Sequence, residues 1–160
     1  MTVSLRAMTD DELPGLVERW RDRYAGNITR SRGLSPDEAM TQARTEFDDL
    51  LPDGVHTENQ LLYVAESDGE RVGALWLSTR SPDGTDAAWI CEIEVDEARR
   101  GKGYGREIML LAEQECAARG IDEIRLNVFG SNTTACELYE SLGYDVLLQK
   151  MAKRLSSAEP

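Results

Sequence analysis

A chain of 160 residues that is 41% hydrophobic and 30% charged has the length of one domain and enough apolar material for its own core, which excludes a disordered segment and argues against two full-sized domains. Its 18 Lys and Arg against 30 Asp and Glu leave a net charge of −12, a field that repels phosphate backbones and anionic lipid, so neither nucleic acid nor a membrane is an expected partner and cationic substrates are favoured. Cys91, Cys116 and Cys136 lack metal-type spacing and the first ten residues lack a signal-peptide pattern, so reduced thiols in a cytoplasmic protein are expected.

Val3–Ala7 reads as a short strand, and Thr9-Asp10-Asp11-Glu12 as the cap and acidic first turn of a helix. That helix carries Leu13, Leu16, Val17, Trp20 and Tyr24 on one face until Gly26-Asn27 weakens the pattern. Ser35-Pro36-Asp37-Glu38 opens a second helix through Ala39, Ala43 and Phe47 to Leu51, and Pro52-Asp53-Gly54 ends it. Gln60–Glu66 and Arg71–Ser78 are β-rich runs joined at Asp68-Gly69, a hairpin signal, and Ser81-Pro82-Asp83-Gly84 turns into a strand over Ala88–Val95. A helix with Ile108, Leu111, Ala112 and Cys116 at helical spacing follows, then a strand Ile124–Phe129 parallel to Ala88–Val95. A last helix carries Ala135, Leu138, Tyr139 and Leu142, Gly143 stops it, and Tyr144–Met151 is the expected final strand. The order β-α-α-β-β-β-α-β-α-β predicts a mixed α/β fold with one central sheet flanked by helices, a single domain over 1–155 and a frayed tail over 156–160.

Residues 99–106 read Arg-Arg-Gly-Lys-Gly-Tyr-Gly-Arg, four cations and no acid in a strongly acidic chain. A strand feeding a glycine-rich turn that opens a helix presents free N–H groups and a positive helix end, a device for holding phosphate. The alternative is a tight turn with a solvated basic rim. The dinucleotide pattern G-x-G-x-x-G fails, because Arg106 or Ile108 stands where its third glycine is required. The nucleotide-triphosphate loop fails too, because Gly103 follows Gly101-Lys102.

Arg100-Gly101-Lys102-Gly103-Tyr104-Gly105 instead resembles R/Q-x-x-G-x-G/A, the acetyl-coenzyme A motif of the GNAT N-acetyltransferases. Asn132-Thr133-Thr134-Ala135 followed by Leu138-Tyr139-Glu140-Ser141-Leu142-Gly143-Tyr144 is similar to that family's N-x-x-A and L-Y-E-x-L-G-F segment, and the clear similarity covers about Trp89 to Arg154. The resemblance implies that the backbone of Ile93, Glu94 and Val95 pairs with the pantetheine arm, and that Arg100, Gly101, Lys102, Gly103, Tyr104, Gly105 and Arg106 hold the pyrophosphate. Asn132 is implied as a cofactor contact, beside the simpler reading of a helix N-cap. The family is often dimeric, so a homodimer is a further expectation, and no metal is implied.

Moving acetyl from a thioester to an amine needs a base to take the ammonium proton and a donor for the leaving thiolate. Tyr139 matches the family's tyrosine acid; its alternative is a place on the apolar face with Leu138 and Leu142. Glu92 and Glu94 alternate onto one face of a strand where acids are costly, and Glu92 is the favoured base because relatives often carry an acid there. Asn127 stands where acetyltransferases of ribosomal-protein N-termini carry a glutamate, and an amide is no base. His56 reads as a solvated loop residue and Cys91 as a core thiol. The expected function is acetyl transfer from acetyl-coenzyme A to a primary amine of a small molecule or peptide by direct attack in a ternary complex; the alternative is a non-catalytic acyl-coenzyme A binding module.

Overall fold

A computed structural model describes residues 2–156, and the chain divides into two compact units, Met1–Phe129 and Gly130–Pro160. The first contains a five-stranded sheet whose spatial order is the chain order: β1 (Val3–Ala7), β2 (Gln60–Ser67), β3 (Glu70–Ser78), β4 (Ala88–Val95) and β5 (Ile124–Leu126). Neighbours from β1 to β4 are antiparallel and β4–β5 is parallel, as the connection through a helix requires. Helices α1 (Leu13–Arg32) and α2 (Pro36–Leu50) follow β1, and α3 (Tyr104–Ala118) links β4 to β5. The second unit carries α4 (Thr133–Ser141).

Local chemistry accounts for the turns. Asp68 and Gly69 both have positive φ, 54° and 78°, the backbone a two-residue hairpin demands, and Ser67 faces Glu70 across it. Ser35 caps α2 reciprocally: its Oγ accepts from the Glu38 N–H at 3.2 Å, and the Glu38 carboxylate accepts from the Ser35 N–H at 3.1 Å. Replacing Ser35 with Ala is expected to lower the unfolding free energy by about 1 kcal/mol in a urea titration; an unchanged midpoint would show that the box contributes nothing.

Two layers cover the sheet. Leu13, Leu16 and Trp20 of α1 and Phe47 of α2 pack with Leu62, Val64, Ala74 and Trp76. Within this layer the Trp20 and Trp76 rings stack at 6.1 Å, and Phe47 meets Trp76 edge-on at 5.6 Å. On the other face α3 packs against β1, β3 and β4 through the buried Ile108, Met109, Ala112 and Cys116.

Four expectations are corrected. Thr9 does not cap α1: the preceding Glu12 is the cap residue and makes no cap bond, its carboxylate instead accepting from the Thr9 N–H and pairing with Arg6. The helix also runs through Gly26 to Arg32 and stops at left-handed Gly33, because a mid-helix glycine costs only about 1 kcal/mol and burial of Ala25 and Ile28 against Ala39 and Ala43 outweighs it. β5 spans three residues rather than the six of Ile124–Phe129, since its ladder with β4 ends at Ile90 opposite Leu126. Residues 144–151 form no strand: the described part of the second unit offers only α4, and a lone segment has no ladder to join. Of the expected tail, only Ser156 lies within the described residues.

Candidate functional site

β4 changes face along its length. Trp76 pairs with Glu92, but its neighbour Leu77 pairs with Ile90, so Cys91 is the extra residue of a β-bulge. Residues directly opposite in an antiparallel pair share a face. Ile90 therefore joins Leu77 on the α3 side, whereas Glu92 and Glu94, opposite Trp76 and Ala74, look toward α1. Cys91 packs against the α1-side core, and burial pushes its thiol up to about 12, far from a reactive thiolate.

The two acids, both predicted from the sequence, differ in their surroundings. Glu94 is buried, with 6% of its side chain exposed, and is surrounded by donors. Arg19 pairs with it, the Trp20 indole N–H donates at 3.2 Å, Arg71 lies at 3.5 Å and Arg23 at 3.6 Å. Among the described residues Glu92 has one strong cationic partner, Arg23, whose Nη2 donates to Oε2 at 2.8 Å. Burial raises Glu92 to about 7; Arg23 opposes that rise and the nearby Glu94 adds a smaller push upward. A carboxyl group that titrates near neutrality is poised to exchange protons at physiological pH.

Beyond Ile90 the β4–β5 ladder ends, so among the described residues no strand pairs with the Cys91–Val95 edge on the β5 side. That stretch includes Ile93, Glu94 and Val95, the positions the resemblance implies for pantetheine pairing. A one-turn helix over Glu97–Arg99 follows, tied by Arg99 N–H to Asp96 O at 2.7 Å, and the Arg100 Nε donates to Val95 O at 3.1 Å. Gly101 and Gly103 have φ of 74° and 87°, left-handed conformations that a side chain would strain.

Gly103 is the cap residue of α3, and no side chain caps the helix start. Its first turn thus presents main-chain N–H groups from an exposed loop that carries Lys102, an arrangement suited to an anion. Tyr104 and Gly105 lie within that first turn and are half-buried, whereas Arg106 is exposed.

In the second unit Asn132 is the N-cap of α4, its Oδ1 accepting from the Ala135 N–H at 3.2 Å, which satisfies the capping alternative. Tyr139 is buried, its ring 5.8 Å from that of Tyr144, whose N–H donates to the Tyr139 carbonyl at 3.0 Å. His56 is exposed beside Asp10. No helix among the described residues is long and apolar enough to cross a membrane.

Arg19, Arg23 and Arg71 escaped the sequence reading. The available signal was indirect: two acids inside a strand require cations, and Arg19 and Arg23 stand one helical turn apart beside Trp20.

Comparison with known proteins agrees with this architecture. A relative described as the uncharacterized N-acetyltransferase YycN of Bacillus subtilis (strain 168) is 29% identical over 156 residues, covering 97% of this chain and 100% of the relative. The YycN crystal structure superposes with a TM-score of 0.89 at 28% identity, over 98% of this chain and 100% of that one. A PaiA N-acetyltransferase from Thermoplasma acidophilum, solved in complex with coenzyme A, shares the fold at a TM-score of 0.65 and 22% identity over 91% of each chain. With residues 18–144 matching the model of the acetyltransferase (GNAT) family, the chain belongs to that family of acyltransferases and is an N-acetyltransferase.

Proposed function

We propose that this enzyme transfers acetyl from acetyl-coenzyme A to a primary amine by direct attack, with residues 1–155 acting as one acetyltransferase domain. The observation that carries this reading is a single continuous strand-turn-helix: Glu92, titrating near 7, the free edge of β4, and the left-handed glycines that open an uncapped α3. The family match spans both compact units, which supports a single working domain.

The backbone of Ile93–Val95 is suited to pair with an extended amide-bearing arm, as an added strand would. The N–H groups of Gly103, Tyr104 and Gly105, with the charges of Arg100, Lys102 and Arg106 around them, are suited to a pyrophosphate, which needs close backbone approach. An alkyl ammonium has a pKa near 10.4 and is no nucleophile until deprotonated. Glu92, ionised above about pH 7, takes that proton directly or through one water, and the neutral amine then attacks the thioester carbon. Loss of the carbon–sulfur bond leaves a thiolate, for which Tyr139 is the proposed proton donor on the strength of the Leu138–Tyr144 resemblance, and the proton that the attacking nitrogen sheds as the amide forms restores the tyrosine. Free thiols at Cys91 and Cys116 support a reducing, cytoplasmic setting.

Calorimetric titration with acetyl-coenzyme A tests this reading. Binding is expected for the parent and a loss of at least about tenfold for Gly103→Val, where φ is 87° and a branched side chain obstructs the helix start. Thiol release with a panel of primary amines then reports turnover. A parent that binds no acetyl-coenzyme A would sink the proposal, and equal binding by both proteins would move the cofactor site elsewhere.

A further inference from the structure

The guanidinium of Arg23 bridges two carboxylates of unequal character. Its Nη2 donates to Glu92 Oε2 at 2.8 Å, and its Nη1 lies 3.6 Å from Glu94 Oε2. Glu94 does not depend on it, because Arg19, Arg71 and the Trp20 indole also serve that carboxylate. Glu92 does depend on it: from β3 the residue opposite is Trp76, which carries no charge, and Arg71 reaches Glu94 and Asp96 instead. Within β4 its neighbours are Cys91, a neutral thiol, and Glu94, an acid. From α1, Arg19 turns to Glu94, leaving Arg23, among the described residues, as the cation facing Glu92.

We propose that Arg23 is the positioning residue for the general base: it clamps one carboxylate oxygen of Glu92 from α1, fixes that side chain's direction, and favours its charged form against the cost of burial in an apolar layer. This rests on the role given above to Glu92. With 44% of its side chain exposed against 16% for Glu92, Arg23 stands on the solvent side of the pair, where an arriving ammonium takes over as counter-ion while the guanidinium remains within reach of Glu94. Arg23 donates no proton in the reaction; the ammonium proton passes to Glu92, and the clamp sets the pH at which Glu92 is ready to receive it.

Carbon-13 NMR of the full chain labelled with carboxyl-13C glutamate tests the proposal without any acceptor, the Glu92 resonance being assigned by its loss in Glu92→Gln. The parent midpoint is expected near 7. Arg23→Gln should raise it by about one pH unit, Arg23→Lys should restore it to within about half a unit, and Arg19→Gln should leave it in place. A midpoint unmoved in Arg23→Gln, or moved equally by Arg19→Gln, would overturn the clamp. Thermal melts report folding; Arg23 is half-exposed, so its variants are expected to fold. Acetyl-coenzyme A titration of the same samples separates the two claims, since a protein that fails to bind it yet shows the Arg23-specific shift retains the clamp and loses the acetyltransferase reading.

Discussion

Glu92→Gln is expected to lower kcat by about 100- to 10,000-fold while leaving acetyl-coenzyme A affinity within about twofold, the signature of a lost general base rather than lost donor binding. The parent's kcat/KM should fall below about pH 7 as Glu92 becomes protonated, and this acidic limb should vanish in the variant. Stability should move the other way. In the folded chain burial holds the proton on Glu92 up to about 7, whereas its ordinary value is 4.5, so the folded state binds more protons than the unfolded state between those limits. Parent stability therefore falls as pH rises from 4.5 to about 7 and stays at the lower level above it. The amide has no charge to bury. At pH 8 the variant should gain on the order of 2 kcal/mol in urea unfolding, and that gain should disappear at pH 4. A variant with parental turnover, or with an unchanged acidic limb, would remove Glu92 from the chemistry.

Gly73→Ala should produce the largest loss of stability. A Cβ at Gly73 would stand 2.1 Å from the Glu94 carbonyl oxygen and 3.1 Å from Ile108 Cδ1. The first contact is with main chain, so relief requires β3 and β4 to separate at the Gly73–Val95 pair. Overpacking of this kind costs roughly 3 kcal/mol, which for a protein of this size lowers the melting temperature by about 10 °C. A circular-dichroism melt within about 2 °C of the parent would mean that the strands tolerate a side chain there. Because the displaced strand bears Glu92 and Glu94, turnover should fall as well.

Much of the scaffold was legible because backbone geometry restricts residue choice at a few positions. Asp68-Gly69 announces a hairpin and Ser35-Pro36-Asp37-Glu38 a helix start capped by Ser35, and both occur; the reciprocal bond to Glu38 is what the structure adds. The glycine turn was equally readable, since left-handed conformations at 101 and 103 need residues without Cβ. Readings that depended on tertiary balance failed. Gly26 lies in mid-helix because distant partners bury Ala25 and Ile28, and Tyr144–Met151 carries an apolar run without a ladder in its own unit. Ion pairs were invisible for a related reason. Arg23 and Glu92 are 69 positions apart, and nothing in either segment names the other.

The extra residue at Cys91 acts as a phase slip in the alternation of β4. Upstream of it the strand's parity delivers Ile90 to the α3 layer; downstream the same odd–even count delivers acids to the α1 layer. Deleting this one residue would bring the two halves into a common phase. Either the acids would then be driven among Leu75, Leu77 and Ile108, or Ile90 would change layers and the parallel pairing with β5 would be lost. The strand thus joins two reading frames of one sheet, and its acidic half keeps its orientation only through a single-residue insertion.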